Sequence, residues 1–186
     1  MKMKEEFSSQ YSLRRNTINI FEPITEATSE RVISQIQYLE DNGAEEIIIQ
    51  INSPGGSVSA GLAIYDTLNY SKARIVTVGV GMVASMGAFL LSAGSRGYRR
   101  ATKNCEILIH QPLGGASGQA SDIIIAAEHI KRTRDKLNRI LAENTGKPIK
   151  TIERDTDRDY IMSADEAIEY GLIDTVIPSP NKAKEV

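Results

Sequence analysis

No residue between Ile75 and Ser95 carries a charge, and this stretch limits what the chain can become more than any other. It is about long enough to cross a bilayer, so a membrane span is one reading. Against it stand the four glycines and several hydroxyls that dilute its hydrophobicity. Lys72 and Arg74 on one side are also matched by Arg96, Arg99 and Arg100 on the other, so there is no charge asymmetry to orient a span. The other reading is a buried strand running into a buried helix. Val76, Val78 and Val80 alternate with Thr77 and Gly79, the period of a strand, and small and apolar residues follow from Met86 onward. Ser85 then falls at a strand-to-helix turn, which exposes a hydroxyl beside unpaired backbone NH groups. A small residue at a tight packing point would also fit. The literal Gly-x-Ser-x-Gly elbow is absent, because Val83 stands where its first glycine belongs.

With 186 residues the chain is of a size for one domain, large enough to bury roughly two-thirds of its unfolded surface. Twenty-two basic residues against 24 acidic ones leave a net charge of -2, and the basic residues are scattered. That gives no field for nucleic acid. Met1 to Arg15 lacks an apolar core, so neither a signal peptide nor an anchor is expected there. The single cysteine favours a reducing compartment, and the expected location is cytoplasmic, away from membranes.

Residues 1–16 are expected to be flexible, residues 17–177 to form one domain, and the polar tail 178–186 to be disordered. Thr17 to Phe21 is a short strand candidate. In Thr28 to Asn42 the apolar residues Val32, Ile36 and Leu39 share a helical face, and Gly43 supplies the stop. Glu46 to Ile51, with four isoleucines, has the continuous apolar character of a parallel strand covered on both faces. It ends in Asn52-Ser53-Pro54-Gly55-Gly56, a turn whose glycines let backbone approach a ligand, ahead of helical spacing from Val58 to Asn69. Strand Arg74 to Val80 and the Ser85 turn continue this alternation, which predicts an α/β fold with parallel strands.

Asn104 to His110 reads as another strand. Its period of two sends Cys105, Ile107 and Ile109 one way and Glu106, Leu108 and His110 the other, so Cys105 and His110 cannot serve one site. Cys105 is most simply a buried apolar residue. His110 stands at a strand end before Gln111-Pro112-Leu113-Gly114-Gly115, a position suited to chemistry. His129 lies instead in a long helix from about Ser121 to Asn144, stopped by Gly146, whose stripe is Ile123, Ala127, Ile130, Leu137 and Leu141. It reads as a structural or interface residue. Among Glu153, Asp155, Asp157 and Asp159, any of which could orient a histidine, periodicity does not choose. Ser163 to Glu166 is a capping box, Gly171 ends the helix it opens, and Leu172 to Ile177 is a last strand.

Taken together, four segments resemble the ClpP serine peptidases: Ile51 to Gly56, Gly81 to Gly94, Ile109 to Gly115, and Glu153 to Asp159 followed by Met162 to Ala167. The likeness runs from about Phe21 to Ile177. It implies a ClpP/crotonase-like α/β fold of stacked β-α-β units with a projecting long helix. It also implies a homo-oligomer of two stacked heptamers whose sites face a chamber.

By that resemblance Ser85 matches the nucleophile, His110 the general base and Asp159 the orienting acid, while the backbone NH groups of Gly56 and Met86 match the oxyanion hole. Val58, Met86, Phe89, Pro112, Leu113 and Leu137 match an apolar substrate pocket. Gly56 to Val58 and Leu113 to Ala116, with Gly114 and Gly115, match the backbone that pairs with an extended polypeptide. Residues 118–146 match the element joining the rings, with Gln119, Asp157 and Arg158 as oligomer contacts. No metal or cofactor is implied, since ATP is consumed only by a Clp-type partner ATPase. At the docking region this chain departs from the family, with Gln50 where an aromatic is usual and a short segment before Thr17. Two rival functions share the implied fold: a non-catalytic or partner-activated subunit of a mixed ring, and a crotonase-like acyl-CoA enzyme.

Overall fold

The computed structural model describes residues 10–178, so most of the expected flexible start and of the expected tail lies outside the described residues. Residues 10–13 make a helical turn. Strand β1 (Thr17–Ile20) and helix α1 (Glu26–Asp41) open the domain. Strand β2 (Glu46–Ser53), helix α2 (Val58–Tyr70), strand β3 (Arg74–Ala84) and helix α3 (Met86–Leu91) come next. The second half contains β4 (Arg99–Thr102), β5 (Glu106–Ile109), α4 (Ala120–Thr145), α5 (Ile149–Asp155), β6 (Tyr160–Ser163), α6 (Ala164–Tyr170) and β7 (Thr175–Ile177). The sheet runs β1-β2-β3-β4-β7 with every one of these pairs parallel, and β5 lies between β3 and an antiparallel β6.

Strand β3 forks the sheet, and the fork positions the site. Its first part, Thr77 to Gly79, pairs with β4, whereas Met82 to Ala84 pairs with β5. Between the two, the register against β2 shifts: Ile51 faces Gly79, yet Ser53 faces Val83. The extra residues form a bulge in which Gly81 takes φ +69° and Asn52 Oδ1 accepts a hydrogen bond from the Met82 NH at 3.3 Å. Such a bulge bends the strand and re-aims the residues beyond it. The strand therefore continues past Val80, where alternation alone would end it, and delivers Ser85 directly.

In β2, Ile47, Ile49 and Ile51 are fully buried while Ile48 and Gln50 are only half-buried, so the strand is sealed on one face, not on both as expected. On the other face Tyr11, Ser12 and Arg15 surround Ile48 and Gln50 and leave a recess. Val32, Ile36 and Leu39 of α1 and Ile64 and Leu68 of α2 join Ile47, Ile49 and Ile51 in one core. Each such side chain contributes about 1.5–3 kcal/mol. Helix α1 begins earlier than expected because Thr25 Oγ1 caps it by accepting from the Thr28 NH.

Strands β4 and β6 and helix α5 have no counterpart in the periodicity. Strand β4 comprises Arg99-Arg100-Ala101-Thr102, with Arg99 itself buried. Arg99 is neutralised by Asp174, with Nε donating to Oδ2 at 3.0 Å and an outer nitrogen to Oδ1 at 2.6 Å, and its remaining donors reach the carbonyls of Asn144 and Gly171. Burial opposes ionisation of Asp174, but hydrogen bonds from the Arg99 side chain and backbone and from the Gly97 NH hold its pKa below the ordinary value. Its stabilisation is therefore present above the ordinary aspartate range and disappears as pH falls through the lower native value. Asp174→Ala is expected to destabilise the fold by about 3 kcal/mol and to lower the melting temperature by about 10 °C at neutral pH. Thermal melts of both chains should converge in acid; equal melts at neutral pH would refute the account.

Helix α5 is unexpected as well, since a solvated charged run is the simplest expectation there. Ile152 and Asp155 are buried, and Asp155 accepts from the Tyr170 hydroxyl at 3.1 Å and pairs with Arg154 at 2.8 Å. Helix α4 has Gly146 in the left-handed conformation as its end, as expected. Only Leu137, Asn138 and Leu141 are buried along it, however. Ile123, Ile124 and Ile125 are 42%, 60% and 62% exposed, so the front half of the expected stripe is uncovered within one chain. At 26 residues and 1.5 Å per residue the helix is about 39 Å long.

Candidate active site

Three chain segments meet at Ser85. Strand β3 carries it, held by the Ser85 NH donating to the Leu108 carbonyl of β5 at 2.9 Å, and α3 starts immediately after it. Ser85 has φ 55° and ψ -122°, and Asn16 is the only other non-glycine residue with positive φ among the described residues. A side chain held there stores on the order of 1–3 kcal/mol of backbone strain.

His110 comes immediately after the last residue of β5, so the side-to-side alternation of that strand fixes its direction. Cys105, Ile107 and Ile109 are buried, and His110 faces the opposite side as expected. His110 Nε2 lies 2.9 Å from Ser85 Oγ, and His110 Nδ1 lies 3.0 Å from Asp159 Oδ1. The imidazole is 21% exposed and the Asp159 side chain 66%. Of the four acids that periodicity leaves equal, Asp159 is thus the one that reaches the ring. Asp155 is occupied by Arg154 and Tyr170, and Asp157 accepts from Gln111 Nε2 through its carbonyl at 2.8 Å. The Gln111 NH also donates to the Thr156 carbonyl at 2.6 Å, which ties the histidine strand to the segment bearing Asp159. Burial, aided by the neighbouring Glu106, pushes the Cys105 thiol up to about 11, so it stays protonated and apart from the site. His129 is exposed on α4.

The glycine turn arrives from the other side. Ile24 brackets it, its NH donating to Gly55 O at 2.9 Å and its carbonyl accepting from the Ser57 NH at 2.8 Å. Gly55 and Gly56 take φ +93° and +153°. A β-carbon on Gly55 would lie 2.6 Å from Ser85 Cβ, 2.9 Å from Ala84 O and 3.0 Å from Met86 N. This turn therefore packs directly on the serine turn. Among the described residues, the NH groups of Gly56 and Met86 take no part in the turn, loop and capping hydrogen bonds.

Val58, Met86, Phe89, Pro112 and Leu137 line one pocket that also contains Ser85 and His110. Ile109, Asn138 and Leu141 line it too, which the residue pattern alone does not anticipate. The helical spacing of Leu137, Asn138 and Leu141 is the signal that could have placed them there. Leu113 lies outside that pocket: it is 85% exposed and lines a depression with His110, Gln111, Asp157, Arg158 and Asp159. It belongs to a segment without regular secondary structure. Gly114 and Gly115 are exposed in the same segment, and Gly114 runs so close to Ile130 of α4 that a β-carbon would lie 2.7 Å from its Cδ1. Gln119 precedes α4 as its cap residue, and the exposed Asp157 and Arg158 approach only to 3.9 Å.

A serine, a histidine and a carboxylate hydrogen-bonded in that order on an α/β scaffold form the arrangement of the serine hydrolases. The sequence matches the family model described as Clp protease over residues 3–180, and the chain belongs to that family. No helix among the described residues is long and apolar enough to cross a membrane.

Proposed function

We propose that this chain is a serine endopeptidase subunit that cleaves unfolded polypeptides inside a chamber of stacked rings, supplied by a Clp-type ATPase. The observation that carries the reading is the continuous path Ser85 Oγ, His110 Nε2, His110 Nδ1, Asp159 Oδ1, with bonds of 2.9 and 3.0 Å. His110 takes the Ser85 proton as Oγ attacks the peptide carbonyl, and Asp159 keeps the ring oriented and stabilises its charged form. The NH groups of Gly56 and Met86 receive the negative oxygen of the tetrahedral intermediate. His110 then protonates the leaving amine, and a water attacking by the same route releases the acyl group.

An extended substrate would lie between the backbone at Gly56 to Val58 and that at Leu113 to Ala116, so affinity comes from the main chain and preference from the pocket. The uncovered isoleucines at the front of α4 support assembly through that helix, with Gln119, Asp157 and Arg158 as further contacts. Gln50 stands in the recess with Tyr11, Ser12, Arg15, Thr17 and Ile48, so a docking ATPase would meet a more polar surface than an aromatic would give.

Treatment with a fluorophosphonate probe should add one adduct per chain, located by peptide mass on the segment containing Ser85. An assembled particle that stays unlabelled, or is labelled elsewhere, would overturn the proposal.

A further inference from the structure

Helix α2 has one glycine, Gly61, in its interior. It is buried and is not among the glycines with positive φ, so the course of the backbone does not require it there. Alanine is the better helix former at such a position. What excludes a side chain is Met86. A β-carbon on Gly61 would fall on the Met86 methyl group, Cε, and lie 3.4 Å from its Cγ and 3.5 Å from its Cβ. Met86 opens α3 and is 3% exposed, so its side chain lies against the bare backbone of α2.

The same face of α2 borders the pocket beside Ser85. Val58, three residues before Gly61, is part of the pocket wall, and Tyr65, four residues after it, packs on Phe89 of α3 with ring centroids 4.9 Å apart. Met86 thus has α2 on one side and the pocket on the other, with Leu137 and Leu141 of α4 in the wall as well. The interior around it is close-packed, so a methionine tip pushed off α2 has the pocket as its open direction. The free space there is about 30 Å³, room for on the order of two waters, and one methyl group moving in would take much of it.

We infer that Gly61 is a positioning residue that sets the depth of this pocket. By giving the Met86 methyl group a seat on α2, it keeps the pocket open to apolar side chains of the length of leucine and methionine. With a side chain at residue 61 the Met86 tip takes that space, and the pocket favours short side chains such as alanine. The inference rests on the peptidase reading in taking the pocket as the site for the residue before the cleaved bond.

The test is made in the assembled Ser85→Ala chain, where binding is read without hydrolysis. Fluorescein-labelled peptides that differ only in a C-terminal leucine, methionine or alanine are titrated by anisotropy. Adding Gly61→Ala should lower the leucine-to-alanine affinity ratio about tenfold, and the methionine-to-alanine ratio with it. Adding Met86→Ala to that variant removes the displaced tip and should restore both ratios, which a general loosening of the fold would not do. Gly61→Ala should melt no lower than its parent, because only the flexible end of a side chain has to move. Unchanged ratios, an equal loss for all three peptides, ratios that stay low in the double variant, a markedly lower melt, or a parent that binds none of the peptides overturns the inference. Ratios that fall and are restored, in a protein whose Ser85 form hydrolyses none of the matching amides, would support the role of Gly61 and overturn the peptidase reading alone.

Discussion

Replacing His110 with alanine is expected to lower peptide hydrolysis between roughly 10⁴- and 10⁶-fold, and Ser85→Ala and the double variant should reach the same floor. The geometry requires this non-additivity. With Ser85 Oγ 2.9 Å from His110 Nε2, the hydroxyl has one route for its proton, and without the ring it remains a poor nucleophile. On the proposed mechanism, what should survive is substrate binding and the pull of the Gly56 and Met86 NH groups, which all three variants retain. Initial rates on a fluorogenic peptide, with particle size checked for each variant, measure the effect. A double variant far below either single one would show that serine and histidine act separately and would sink the shared mechanism.

Gly55→Ala is expected to reduce turnover on the order of 10²-fold although position 55 supplies no reacting group. The new methyl would sit 2.6 Å from Ser85 Cβ and within 3.0 Å of backbone atoms on both sides of it, at a φ of +93° that alanine rarely adopts. Backbone cannot swing away as a flexible side-chain tip can, so the two turns must part and Ser85 must move relative to His110. The fold itself should persist with a melting temperature lower by only a few degrees, since the strain is on the order of 1–3 kcal/mol. Circular dichroism together with the kinetics separates the cases. Full activity, or outright unfolding, would mean that the two turns are not packed as described.

Much of this arrangement is legible in the residues. The alternation of Val76, Val78 and Val80 leads to the Ser85 turn, the period of β5 separates Cys105 from His110, and the capping box at Ser163 and Glu166 is formed as expected. What escapes are features set by distant partners. Arg99 opens a buried strand only because Asp174, 75 residues further on, neutralises it, and no local pattern announces that. Helix α5 hides in a charged run because Asp155 turns inward to the Tyr170 hydroxyl. The acid that reaches His110 is beyond periodicity for the same reason: Asp155, Asp157 and Asp159 alternate along one short segment, and packing against Tyr170 and Gln111 decides their directions. For Asp159 the family resemblance supplies what local spacing cannot.

The left-handed backbone at Ser85 sets stability against activity at one position. Glycine would relax that turn, so a chain shaped only for a durable fold would hold glycine there, and serine at residue 85 comes with a standing penalty to folding. In a ring assembled from several related subunits, that penalty is worth bearing only in those that perform chemistry. Relief of the strain, by a glycine at this turn, would then be an early mark of a subunit kept for architecture alone.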